Sequence, residues 1–308
     1  MLKTAVLFLV FNRPDVTAKC FEAIRAARPA RLYVAADGPR ADRLGEAERC
    51  EQVRMISTSV DWPCEVKTLF RSENLGCRRA VSGAIDWFFE SEPEGVVLED
   101  DCLASPDWFR FAEEMLERYR DDERIMCVSA SHFHGAVHTP EHSYFFSRYN
   151  HCWGWASWRR AWALYDSDMS AWPALRNGEW LLSIGHGSRF FASYWRAMFE
   201  RVHAEAIDSW AYRWTFSCWA QSGLSILPGR NLVSNIGFDE YATNTGTGNA
   251  LEGATPLESL DFPLRHPGQV VTDVAADNWT DRNVYGISLA TWLRRSFGGL
   301  VRRMMRQG

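Results

Sequence analysis

The chain has 308 residues, 46% hydrophobic and 24% charged, which suits a globular body with a sizeable core and excludes global disorder. A net charge of −5 excludes a general nucleic-acid binder, which carries a basic surplus. The balance is uneven: residues 287–308 hold five arginines and no acid, leaving 29 basic against 39 acidic residues in 1–286.

The first 130 residues alternate strand and helix signals. Thr4–Phe11 is a continuous apolar run, as in a strand covered on both faces. Pro14 opens a helix through Ala27. Then come a strand at Arg31–Ala36, a helix over 41–58, a strand at Glu65–Phe70 and a helix at Leu75–Phe89. A strand at Gly95–Leu98, a helix at Pro106–Tyr119 and a strand at Arg124–Ser129 complete this half. Strands separated by helices of this length predict right-handed crossovers and a mostly parallel α/β sheet. Beyond it the texture changes: ten of the fifteen tryptophans lie between Trp153 and Trp219, with helical spacing at Phe190, Tyr194, Met198 and Val202. Strands are expected at Gly223–Pro228 and Leu232–Ile236, then a Gly/Thr/Asn-rich loop from Gly237 to Gly253 and an extended tail over 254–286.

Eight cysteines form no C-x-x-C, and free buried thiols in a reducing compartment are expected. No apolar run approaches the ~20 residues of a spanning helix, and Met1 to Phe11 lacks a signal-peptide pattern. The expected location is the cytoplasm, peripheral on the inner face of the membrane.

In a parallel α/β sheet, ligands bind beyond the carboxyl ends of the strands. Three polar clusters fall there: Asn12-Arg13-Pro14, Asp37-Gly38-Pro39-Arg40 and Glu99-Asp100-Asp101. Each alone suits an ordinary turn; their coincidence points to a site. The last is the most informative. Strand alternation puts Glu99 and Asp101 on one face and Asp100 on the other. Adjacent carboxylates repel, so a cation is expected, and Mg²⁺ or Mn²⁺ suits carboxylate oxygens with a ligand's phosphates.

Phe11-Asn12-Arg13-Pro14, Asp37-Gly38-Pro39-Arg40, Arg71-x-x-Asn74-Leu75-Gly76 and Glu99-Asp100-Asp101 with Ser105-Pro106-Asp107-Trp108-Phe109 resemble the bacterial glycosyltransferase-2-like proteins. They are also similar to the animal N-acetylglucosaminyltransferase I group. Gly154-Trp155-Ala156-Ser157-Trp158 and Asn231-Leu232-Val233-Ser234-Asn235-Ile236-Gly237-Phe238 continue the likeness, which spans residues 4–245. The resemblance implies a GT-A, Rossmann-like fold with a helical Trp-rich acceptor-side lobe, and inverting sugar transfer. It implies a donor half at 1–130, an acceptor-side half at 131–253, and Asp101 on the metal. By the same likeness Glu99 and Asp100 touch donor sugar and ribose, Asp37 binds the uracil edge, and Arg13 lies near the nucleotide. Arg71 and Asn74 either bind donor or hold the Leu75-Gly76 turn. Related bacterial sequences carry a His in a Thr-His-Thr stretch where this chain has Thr243-Asn244-Thr245, so Asn244 is a weaker metal ligand at most.

Inverting transfer needs a carboxylate to take the acceptor's proton. Asp208-Ser209-Trp210 resembles the motif carrying that base; the rival role for Asp208 is N-cap of a helix at Ser209–Ala220, and Asp239 and Glu240 are fallback bases. Trp153 and Trp155 either line the acceptor side or pack in a core; for Trp158 and Trp162 the core is expected. His132, His134, His138 and His142 have spacings that could bind metal, but read better as part of a flexible loop. The apolar face of Leu289, Trp292, Leu293, Phe297, Leu300, Val301, Met304 and Met305 predicts a basic amphipathic helix over 287–308, lying either on an anionic membrane or on the protein's own acidic body.

The expectation is an inverting glycosyltransferase using a UDP-linked sugar and Mn²⁺ or Mg²⁺, with a cell-envelope glycan or lipid-linked acceptor. The rivals are a nucleotidyltransferase or phosphohydrolase built on the same acidic strand end, and a catalytically silent glycan- or membrane-binding protein.

Overall fold

The computed structural model describes residues 1–237 and 255–292. The N-terminal half runs β1 (Ala5–Val10), α1 (Pro14–Ala27), β2 (Arg31–Ala36), α2 (Glu46–Ser57), β3 (Glu65–Phe70), α3 (Gly76–Ser91), β4 (Glu94–Glu99), β5 (Cys102–Ala104), α4 (Pro106–Arg118) and β6 (Ile125–Ser129). It continues through β7 (Tyr144–Ser147), β8 (Trp155–Trp158), α5 (Arg159–Trp162), α6 (Trp172–Leu175), α7 (Trp180–Ile184), α8 (Arg189–His203) and α9 (Trp210–Ala220). Last are β9 (Leu224–Pro228), β10 (Val233–Asn235) and α10 (Val274–Asn283).

Eight strands form one sheet in the order β3-β2-β1-β4-β8-β6-β9-β7. The expected mostly parallel, Rossmann-like α/β sheet is present: β8 and β7 alone run against the other six. β1 is buried throughout, and its period of two divides it between layers. Val6, Phe8 and Val10 join the apolar face of α1 (Cys20, Phe21, Ile24) and α4 in one core. Ala5, Leu7 and Leu9 join α3 and the tryptophan-rich helices in the other. With β1 central and parallel to both β2 and β4, the carboxyl ends of all three open on the same edge.

Two local expectations are refined. Trp155, left open between acceptor wall and core, begins the central strand β8, with Val96 opposite Ala156 and Val128 opposite the same residue on its other side. Residues 254–286 are not simply an extended tail, because α10 lies within them. Three of its four buried residues are polar: Asp277 accepts from the Ser147 hydroxyl and the Arg148 amide, and Asp281 accepts from Tyr149 and from Arg148 Nη2 at 2.8 Å. A buried ion-pair network, rather than an apolar stripe, fixes this helix.

Candidate functional site

The carboxyl ends of β1, β2 and β4 and the start of α3 enclose a cavity of about 280 Å³. It brings together Arg13, Asp37, Arg71, Asn74, Glu99, Asp100 and Asp208, whose positions span almost two hundred residues of chain. Arg40, Gly76 and Cys77 also line it, together with apolar residues of β1, β2 and α3.

The acidic strand end does not alternate as predicted. β4 stops at Glu99, and the turn that follows lets Asp100 and Asp101 meet the same guanidinium. Arg13 Nη2 donates to Asp100 Oδ1 at 2.5 Å and to Asp101 Oδ2 at 2.9 Å. The Phe11 amide donates to the other Asp100 oxygen at 3.3 Å. Burial pushes the Glu99 carboxyl up, and the neighbouring Asp101 and Asp100 push it further. Burial raises Asp100 as well, and Arg13 only partly offsets it. Arg13 itself loses hydration, yet the two aspartates hold its proton more firmly than usual.

One guanidinium facing three carboxylates leaves room for further positive charge. Among the described residues, Asp101 Oδ1 has only the Cys102 thiol, at 3.5 Å, as a partner. These residues fit Mg²⁺ or Mn²⁺ in one specific manner: a single protein carboxylate with the remaining ligands from phosphates and water. They do not form a cage for an ion held beforehand. Gly237 closes over this point so tightly that a Cβ there would lie 2.5 Å from both Arg13 Nη1 and Asp101 Oδ2. The β10–β5 ribbon aligns it, with Ile236 donating to the Asp101 carbonyl and Asn235 Oδ1 accepting from the Gly237 amide. Asn244, Asp239 and Glu240 lie outside the described residues.

Asp37 is engaged on both oxygens. It accepts from the amides of Gly38 (2.9 Å), Leu75 (3.0 Å) and Gly76 (3.2 Å), and so ties the end of β2 to the start of α3. Burial still raises its carboxyl above the usual range. Asn74 donates to the Gly38 carbonyl at 2.8 Å, and Arg71 to the Ala80 carbonyl at 3.0 Å. Both therefore brace the turn while lining the cavity.

Asp208 is not the helix cap. Ser209 caps α9, accepting from the Tyr212 amide. Asp208 instead leans on Arg78, 3.5 Å away, with its carboxylate 57% exposed and open to the cavity. The positive φ of Gly76 (79°) lets the chain pass close beside it.

The tryptophan pair separates. Trp155 is 1% exposed and stacked on Trp210 at 5.6 Å, so it is a core residue and cannot touch an acceptor. Trp153 is half-buried, edge-on to Phe133, and is not part of the cavity wall. Trp158 and Trp162 are buried as expected, although Trp158 ends a strand.

One residue escaped sequence reading. Glu46, at the first turn of α2, has its carboxylate 1% exposed. It accepts from Asn12 Nδ2 (2.8 Å), the Arg40 amide (2.7 Å) and the Arg40 guanidinium (2.5 Å). It thereby clamps the loops after β1 and β2 together. Nothing in its local pattern distinguishes it from a solvated first-turn acid.

No family model matches the chain, and no curated protein does. Among solved structures it is similar to HddC from Yersinia pseudotuberculosis, with 11% identity, 51% of this chain and 77% of that one covered, and a TM-score of 0.32. It is also similar to a UDP-glucose pyrophosphorylase complexed with UDP-glucose, with 10% identity, 48% and 62% covered, and a TM-score of 0.27. Likenesses this faint have no bearing on what the cavity binds.

Proposed function

We propose that the chain is an inverting glycosyltransferase that moves a sugar from a UDP-linked donor to a hydroxyl of a cell-envelope or lipid-linked glycan. The observation that supports this most is the shared cavity: the acidic end of β4 and the separate carboxylate of Asp208 line the same space. Inverting transfer needs both a charged donor cradle and a base on another element.

In this reading the acceptor oxygen forms a bond to the anomeric carbon as the bond to the diphosphate breaks. The electron pair leaves on the diphosphate, and the acceptor's proton passes to Asp208. The transition state is oxocarbenium-like, by analogy with glycoside hydrolysis. Glu99 and Asp100 receive donor hydroxyls. Asp37 shapes the nucleotide end by holding Leu75 and Gly76. Asp101 with the donor's phosphates would hold Mn²⁺ or Mg²⁺, which supplies charge neutralisation to the departing diphosphate.

The test is a thermal-shift screen of nucleotide-diphosphate sugars with and without Mn²⁺ or Mg²⁺, followed by product analysis. A ligand that binds only the folded state raises the melting temperature. The expected result is metal-dependent stabilisation by one UDP-sugar, with UDP released in step with sugar transfer. No stabilisation by any donor overturns the proposal. UTP formed from the sugar nucleotide and pyrophosphate would replace it with nucleotidyl transfer.

A further inference from the structure

The loop after β6, expected to be flexible, is anchored through its histidines. His132 and His134 are 1% and 2% exposed. Each of three histidines is held through one ring nitrogen. His132 Nδ1 meets the Pro228 carbonyl at 2.7 Å, at the end of β9. His134 Nε2 meets the Ala276 carbonyl at 3.0 Å and Thr280 Oγ1 at 3.1 Å, both on α10. His138 Nε2 meets Asp273 Oδ2 at 2.8 Å. The opposite nitrogens, His132 Nε2, His134 Nδ1 and His138 Nδ1, are buried with no hydrogen-bond partner among the described residues. Three orphaned nitrogens in one place are costly unless something completes them.

The three residues can each offer a ligand atom within 4.8 Å of the others. Nitrogens about 2.0–2.1 Å from one ion lie roughly 3.3 Å apart, so small ring rotations close the set. Phe145 packs edge-on against all three rings, and Trp279 lies 4.7 Å from that of His134. The surrounding shell is thus aromatic. The outer contacts are those that orient metal-bound imidazoles: carbonyls on two rings and a carboxylate on the third.

We propose that His132, His134 and His138 bind a divalent transition-metal ion of the zinc class, which staples the β6–β7 loop to the end of β9 and to α10. Imidazole donors select zinc, cobalt, nickel or copper over Mg²⁺. The site shares no ligand with the acidic strand end, and the proposal stands whether or not the chain transfers sugar.

The experiment uses the full chain without a polyhistidine tag, stripped by chelator and titrated with Co²⁺. Nitrogen ligands in a low-coordinate site give strong visible absorption, whereas a carboxylate site stays pale. One equivalent of coloured Co²⁺, displaced by Zn²⁺, is expected. His138→Gln should lower affinity at least 10-fold with an unchanged circular-dichroism spectrum. Asp273→Asn keeps the α10 cap, which Asp273 Oδ1 makes to the Ala276 amide, and should weaken binding by roughly 10–100-fold through the His138 ring alone. Asp101→Asn should leave the coloured Co²⁺ binding as it is in the wild type. Absence of stoichiometric coloured binding in the wild type overturns the proposal, as does full binding by a folded His138→Gln variant.

Discussion

The Arg13 guanidinium and the Asp101 carboxylate meet at 2.9 Å, so the acidic strand end holds a built-in cation before any substrate arrives. Removing one of three crowded carboxylates should not unfold such a site. Asp101→Asn is expected to keep or raise the melting temperature while cutting donor turnover by roughly 100-fold or more, about 2.7 kcal/mol in the barrier. EDTA should produce the same loss in the wild type. Steady-state UDP release beside a melting curve checks both, and turnover that survives either treatment removes the ion from the mechanism.

Ser209, not Asp208, caps α9, which leaves general base as the role proposed for Asp208. Asp208→Asn should lower transfer by roughly 10²–10⁴-fold, the usual worth of a general base, while donor binding by calorimetry is retained. Ser209→Ala should do the reverse, costing about 1 kcal/mol of stability with specific activity nearly intact. If Asp208→Asn transfers normally, the base belongs elsewhere, with Asp239 and Glu240 next to be tried.

What was legible in the sequence followed from local periodicity. The all-apolar β1 and the regular helix spacing showed the parallel sheet, and the three strand-end clusters do line one cavity. What was not legible depends on partners far along the chain. β8 consists of Trp155, Ala156, Ser157 and Trp158, too short for its alternation to stand out. α10 looked extended because two of its four buried residues are aspartates, and their partner Arg148 lies about 130 positions upstream. The histidine loop looked mobile because its anchors, Pro228, Asp273 and Ala276, lie 96 to 142 positions away. Asp100 was assigned to the wrong face because alternation was extended past the last paired residue of β4.

The basic C-terminal segment gives a third prediction. Among the described residues no helix is long and apolar enough to cross a membrane. Residues 293–308, which carry all five arginines, lie outside them. Just before, Ile287 is buried and Trp292 rests against Phe190 of α8 at 5.9 Å. A surface reading requires only that the arginines meet anionic lipid, each worth about 1 kcal/mol near the surface. Flotation with anionic liposomes at low salt should retain the full chain and lose one truncated after Gly286. Equal behaviour of the two assigns the segment to the protein's own acidic body.

The last prediction concerns acid. Burial raises the Glu46 carboxyl, but the Arg40 guanidinium and amide and the Asn12 amide outweigh it, pulling the value down to about 2. A group depressed on folding contributes stability above its unfolded value, near 4.3–4.5, and loses it as pH falls toward the folded one. The Glu46 share should therefore be complete at neutral pH and vanish between about pH 4.5 and pH 2. A shift of this size corresponds to on the order of 3 kcal/mol. Glu46→Gln should lower neutral-pH stability by up to that amount, and the gap between the two proteins should close through this window. Urea unfolding at a series of pH values measures it. The clamp joins the loops after β1 and β2, so donor affinity at neutral pH should fall as well. A constant stability gap from pH 7 to pH 2 would mean that Glu46 acts by packing, not by its charge.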